Sequence, residues 1–123
     1  MLDHVSIQCV DLVASAAFYD AALAPLGITR LADFGPTIGY GTPPRPDFWI
    51  GAQSTGDGFR ESHLAFAAPD RAAVLAFFEA ARRLGAEVLH EPREFPEYHD
   101  GYYAAFVRDP EGNNIEAVCH LPA

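Results

Sequence analysis

The sequence predicts an α+β domain made of two repeated βαβββ modules. Three observations carry this. Strand-like and helix-like apolar patterns follow one another in the same order twice. Marker residues of the two runs keep a nearly constant offset: His4 and His63, Asp11 and Asp70, and Phe18 and Phe77 are each 59 residues apart, and Leu26-Gly27 and Leu84-Gly85 are 58 apart. The 123 residues suit one compact domain with one core. The expected organisation is a single domain over 1–123, with module one at about 1–53, a linker at 54–60 and module two at about 61–123.

Each element has a local reason. Residues 2–10 (LDHVSIQCV) mix apolar and polar positions as a half-buried strand does. Asp11 suits a helix start, where its carboxylate accepts from free backbone N–H groups. Residues 12–24 put Leu12, Ala16, Tyr19 and Leu23 roughly in line, and Pro25 and Gly27 stop the helix. Residues 61–67 (ESHLAFA) repeat the strand, and Pro69-Asp70 repeats the helix start. Val74, Phe77, Phe78 and Ala81 supply the apolar stripe of the second helix, Arg82-Arg83 suit its C-terminus, and Gly85 ends it.

Three short strands are expected after each helix. They fall at about 28–34, 36–41 and 47–53, and again at about 86–92, 101–108 and 113–120. Gly35-Pro36, the run 42–46 (TPPRP) and Asp109-Pro110-Glu111-Gly112 mark turns between them. The loop 92–100 (PREFPEYHD) is rich in Pro and aromatics, which suits either a lid over a site or a packed surface loop.

Composition narrows the partners. Acidic residues number 17 against 8 Lys plus Arg, a net charge of -9. Such a surface repels phosphate backbones, so no nucleic-acid partner is expected. No apolar run approaches the ~20 residues that cross a bilayer, so no membrane partner is expected either. Residues 1–4 lack the basic region and apolar core of a secretory signal, and the expected location is the cytoplasm. Cys9 and Cys119 lie in apolar runs and read as buried free thiols.

Strand parity then singles out three side chains. Successive residues of a strand point to opposite faces. Val5, Ile7 and Cys9 should pack on the helices, which turns His4, Ser6 and Gln8 the other way. Leu64 and Phe66 likewise leave His63 on the far face, and Ile115, Ala117 and Cys119 leave Glu116 there. Two imidazoles and one carboxylate form a ligand set for a divalent ion such as Fe, Zn, Ni or Mn, with positions left for substrate and water. Each residue alone also suits an ordinary hydrogen-bonded surface role. Gly39-Tyr40-Gly41 is too short for a phosphate loop and lacks a following helix. No Ser or Cys stands in a motif for an activated nucleophile.

The strands LDHVSIQCVDL, ESHLAFAAPD and DPEGNNIEAV resemble the signature strands of the vicinal oxygen chelate superfamily. That superfamily includes glyoxalase I, extradiol dioxygenases, fosfomycin-resistance enzymes and bleomycin-binding proteins. The resemblance covers nearly the whole chain, and DPEGNNIE is its most specific piece. It implies a cupped, partly open, eight-stranded mixed sheet with helices on the outer face. It implies that His4, His63 and Glu116 are the metal ligands. It also implies a small-molecule substrate and a homodimer, with the modules closing a cup within one chain or exchanging between two. The expected function is a metal-dependent enzyme of the glyoxalase or dioxygenase type acting on a small oxygenated organic substrate. Lyase, isomerase, transferase and dioxygenase chemistry all remain open. The alternative is a non-catalytic protein of the bleomycin-resistance type that sequesters a drug or metabolite.

The chain departs from the resembled patterns in two places. Glyoxalase I-like members use a fourth protein ligand on the last strand of module one. Here that strand reads DFWIGAQ (47–53), and Gln53 is a poor substitute for Glu. The segment 99–116 resembles the extradiol signature but has Ala105-Phe106 where an apolar-Tyr pair is expected. Tyr102 or Tyr103 is therefore a candidate for the missing phenol, with ring packing as the alternative. His99 is the candidate acid or base outside the ligand set. Arg93 is placed to pair with a substrate carboxylate or to be solvated. Tyr40, Phe48 and Trp49 suit either a pocket wall or the core.

Overall fold

Asp11 and Asp70 each start a helix as their positions demand. Asp11 Oδ1 accepts from the Ala14 amide at 3.0 Å, and Asp70 Oδ1 accepts from the Ala73 amide at 2.8 Å. The helices are α1 (Leu12–Leu23), which tightens into a 3-10 turn over Ala24–Leu26, and α2 (Arg71–Arg83). Gly27 and Gly85 close them at φ 80 and φ 79, a left-handed conformation that favours glycine. The computed structural model describes residues 1–52 and 56–121.

Module one holds β1 (Val5–Gln8), β2 (Thr29–Asp33), β3 (Thr37–Gly41) and β4 (Phe48–Gly51). Module two holds β5 (His63–Ala67), β6 (Val88–Glu94), β7 (Tyr103–Arg108) and β8 (Asn114–Cys119). The strand orders are β1-β4-β3-β2 and β5-β8-β7-β6, so the eight strands form two four-stranded sheets of identical topology. In each, the first and last strands of the module pair in parallel and the other pairs are antiparallel. The fold is α+β with two βαβββ modules, as the repeat predicts.

β6 runs to Glu94, past the expected end near 92 and through Pro92. It is an edge strand, where a residue without an N–H breaks no ladder, and its register shifts between Val88 and His90 and between His90 and Arg93. The following loop therefore starts at Phe95.

Parity decides the packing. Ile7 of β1 and Cys9 just after it, Phe48 and Ile50 of β4, Ala105 and Val107 of β7, and Ile115, Ala117 and Cys119 of β8 all enter one buried cluster with both helices. α1 and α2 touch each other, and the rings of Phe48 and Phe66 meet edge-on at 5.1 Å, so this core spans both modules. Each helix covers one face of its own sheet, and the opposite faces turn away from the shared core. Cys9 and Cys119 are free, buried thiols. Among the described residues, no helix is long and apolar enough to cross a membrane.

One polar junction locks the modules. The Asp109 carboxylate accepts from the Tyr19 hydroxyl of α1 at 2.6 Å, from the amides of Glu111 (3.0 Å) and Asn113 (2.8 Å), and from Asn113 Nδ2 (3.0 Å). Asn113 Oδ1 in turn accepts from the Ser62 amide at 2.9 Å, just before β5. Glu111 Oε2 accepts from the Asp11 amide at 2.9 Å, at the start of α1. The DPEGNN turn thus reaches α1 of module one and the residue that leads into β5.

Burial, reinforced by Asp109, raises the Tyr19 phenol well above its ordinary value, and burial does the same for Tyr40. Both hold their protons more tightly folded than unfolded. Their contribution is therefore fully present below pH 10 and is lost as pH rises beyond it. Urea denaturation across this range should show stability falling above pH 10. Tyr19→Phe should lower stability at neutral pH by about 2 kcal/mol, the size of a hydrogen bond to a charged group, and should flatten the alkaline decline. An unchanged stability and pH profile in this variant would show that the junction does not hold the modules.

Candidate functional site

The open face of module two gathers most of the chemistry. β5 and β8 pair in parallel with Ala65 beside Glu116. Ala65 projects only a methyl group, so His63, two residues earlier on the same face, reaches across. Its Nε2 stands 3.0 Å from Glu116 Oε1. Glu116 is 2% exposed, whereas the His63 side chain is 49% exposed. The pair therefore has a fixed buried carboxylate and an imidazole open to solvent.

The other carboxylate oxygen, Oε2, accepts from the Tyr102 hydroxyl. Tyr102 stands just before β7, at the end of the 95–102 loop. Burial, followed by the hydrogen bond and charge of Glu116, raises its phenol above the ordinary range. At neutral pH it is a proton donor. Tyr102 thus places a phenol on the open face beside Glu116, where Phe106 has none. Phe106 lies opposite Glu116 in the β7–β8 register, nearly parallel to His63 at 5.9 Å and edge-on to His90 at 5.2 Å.

Phe95 fixes the loop. It is buried on this open face with Ala104, Phe106 and Val118, stacks on Tyr98 at 5.5 Å, and its amide donates to Tyr102 O at 2.8 Å. Of the two readings of this loop, the structure shows the packed one. Arg93 lies over the Phe95 ring at 3.6 Å and donates to Glu97 at 2.9 Å. His99 sits further out, edge-on to Tyr102 at 5.3 Å. Its Nδ1 faces Asp100 O at 2.9 Å and its Nε2 faces His120 Nδ1 at 3.0 Å.

Tyr103 leaves the candidate site. It is the neighbour of Tyr102, so alternation turns it to the helix side, where it packs on the main core with the Arg71 guanidinium 4.6 Å above its ring. Tyr40 and Phe48 also enter that core. Trp49 takes the opposite face of β4 and stands nearly parallel to Phe34 at 6.1 Å. Gly39 lies beneath it, where a Cβ would come within 2.8 Å of the indole.

His4 is exposed on the open face of module one. Its Nδ1 stands 2.7 Å from Asp3 Oδ1, a hydrogen bond that lowers the Asp3 carboxyl, with Arg45 nearby adding to the effect. With Asp3, Phe34, Arg45 and Trp49 it lines a cavity of about 750 Å³. Among the described residues, no three possible ligands come together within one chain. The physical reason is the shared core: the modules meet through their helix sides, which leaves His4 on one open face and His63 with Glu116 on the other. Gln53, at the fourth-ligand position, lies outside the described residues.

Sequence reasoning passed over His90 and His120. The bulged register of β6 hides the facing of His90. His120 was legible, since it lies four residues after Glu116 and shares its parity.

A profile of the glyoxalase-like domain family matches residues 4–118. The chain is similar to a glyoxalase/bleomycin resistance protein from Albidiferax ferrireducens, with 32% identity, a TM-score of 0.84 and coverage of 97% of this chain and 98% of that one. It is similar to a glyoxalase/bleomycin resistance protein/dioxygenase family enzyme from Burkholderia phytofirmans, with 24% identity, a TM-score of 0.70 and coverage of 97% and 98%. A lactoylglutathione lyase from Agrobacterium tumefaciens shares 21% identity, with a TM-score of 0.67 and coverage of 97% and 92%. The last two likenesses show a common fold. Comparison with curated proteins finds no match.

The Tyr102 phenol gives a direct test of the site's electrostatics. Glu116→Gln removes the negative charge and should lower the Tyr102 pKa, while the burial contribution stays. A ring-carbon NMR titration reads this. An unmoved Tyr102 titration would show that the phenol and carboxylate are not partners.

Proposed function

The chain belongs to the glyoxalase-like family of the vicinal oxygen chelate superfamily, and from that premise we propose that it is a metal-dependent enzyme acting on a small oxygenated organic substrate. His63 and Glu116 are two of the metal's ligands in this reading, and His4 is the third. The observation that carries it is the 3.0 Å approach of His63 to a buried carboxylate on the open face.

The donor set fits a divalent ion. Among the described residues, the hydrogen-bond partners of Glu116 are an imidazole and a phenol, with no Lys or Arg to neutralise it. Mixed N and O donors suit Fe, Zn, Ni or Mn. Once bound, such an ion supplies Lewis-acid stabilisation to negative charge developing on substrate oxygens. The remaining work belongs to the chain. Tyr102 keeps its proton and orients Glu116 through Oε2. Phe106 and Phe95 form an apolar flank that keeps water from one side of the carboxylate.

The placement of His4 supports a site shared between two copies, with module one of each facing module two of the other. Exchange of identical elements between protomers is a low-cost route to a dimer. A second reading, capture of a ligand without chemistry, is favoured by the Phe34–Trp49 pair on the 750 Å³ cavity.

Elemental analysis of untagged protein purified without chelators separates these readings. The enzyme reading expects bound divalent metal in the wild type and one ion per chain fewer in His63→Ala, Glu116→Gln and His4→Ala. Wild-type metal content in Glu116→Gln sinks it, and a metal-free wild type favours capture. Mixed dimers of His4→Ala with Glu116→Gln should regain one intact site of two if ligands are shared between copies. They should regain none if each chain builds its own.

A further inference from the structure

We propose that His99 and His120 form a second divalent-metal site, separate from His63 and Glu116 and independent of the reading given to that pair. The two imidazoles come from different elements: His99 from the loop pinned by Phe95, and His120 from the residue after β8. His99 Nε2 and His120 Nδ1 stand 3.0 Å apart, with the rings 22° from parallel. Around a tetrahedral ion, metal–imidazole bonds of about 2.1 Å hold two nitrogens about 3.4 Å apart. The observed 3.0 Å is close to that separation, and a small rotation of the two exposed rings reaches it.

The hydrogen bonding fixes which nitrogen is the donor. His99 Nδ1 faces the carbonyl of Asp100 at 2.9 Å, and a carbonyl only accepts. The proton of neutral His99 is therefore on Nδ1, and the lone pair is on Nε2, aimed at His120. A metal-bound imidazole is held in the same way, with its far N–H given to a backbone carbonyl. The proton in the His99–His120 hydrogen bond then belongs to His120 Nδ1. When a metal enters, that proton leaves Nδ1 and the imidazole carries its proton on Nε2 instead. His120 is exposed, so this exchange with solvent is open.

Tyr102 holds the pair in place. Its ring meets His99 and His120 edge-on at 5.3 and 5.2 Å. Its hydroxyl points the other way, to Glu116. The two sites therefore lie on opposite ends of one phenol. Two protein nitrogens leave the other coordination positions to water, and imidazole donors suit Zn, Ni or Cu.

The test uses the full, untagged chain, stripped with chelator, desalted and titrated with Zn(II) in a calorimeter. His120→Gln and His99→Gln should each bind one zinc equivalent fewer than wild type. In a Glu116→Gln background the same equivalent should persist, and adding His120→Gln should remove it. Long-range proton–nitrogen spectra should show the His99 and His120 rings shifting together and saturating at the same zinc level. Equal zinc stoichiometry and affinity with and without His120→Gln would overturn the proposal, as would separate saturation of the two rings. Failure of the His63–Glu116 reading looks different: Glu116→Gln then costs no zinc, while His120→Gln still does. His99 and His120 are exposed, and circular dichroism checks that the fold is kept in every variant.

Discussion

Burying the carboxylate of Asp109 is costly unless its oxygens are paired, and the way they are paired orders much of the molecule. Two backbone amides of its own turn and the Asn113 side chain come from module two, and the Tyr19 hydroxyl comes from module one. The turn fixes how β7 returns into β8, and that register sets Glu116 opposite Phe106. Asn113 then takes the Ser62 amide, which aligns β5 beside β8 and brings His63 to Glu116. The same turn that joins the modules therefore positions both members of the candidate metal pair. DPEGNN is informative as a motif because nearly every residue in it has a geometric task.

How much was legible follows from which physical periods stayed intact. Strands with one packed face obey a period of two, so the facing of His4, His63 and Glu116 could be read from Ile7, Leu64 and Ile115. The second helix showed its stripe because its other side is solvated. The first did not show its full packing face: α1 is apolar over most of its surface, and it buries Ser15, Ala16, Phe18, Tyr19, Ala22 and Leu23 against a sheet and a second helix. Where register slips, as in β6, parity fails, and His90 went unread. The separation of His4 from His63 and Glu116 was not legible, because it depends on how the modules pack and not on where their residues point.

That packing also explains the character of the two open faces. Module one offers an imidazole, an exposed guanidinium and a Phe–Trp pair around a wide cavity. Module two offers a carboxylate held by hydrogen bonds and a floor of Phe95 and Phe106. One face opens on a cavity with an aromatic pair, and the other centres on a carboxylate among aromatic rings. A catalyst needs both a place for substrate and a charged group to act on it, and each face has mainly one of these.

Glu116 distinguishes a site from a merely stable sheet. A buried polar cluster is often no more stabilising than apolar residues of similar shape, and the neighbours Ala104, Val118 and Phe106 show that this face can pack without charge. Holding Tyr102 in place does not require an ionisable acceptor, since a Gln at 116 would also accept from a hydroxyl. A carboxylate becomes useful where something positive has to be met, and no Arg or Lys fills that role among the described residues. His63, half in solvent and within reach of Oε1, is the group that shares this task. The cost of burying a charge is thus concentrated at the point where an incoming cation would offset it.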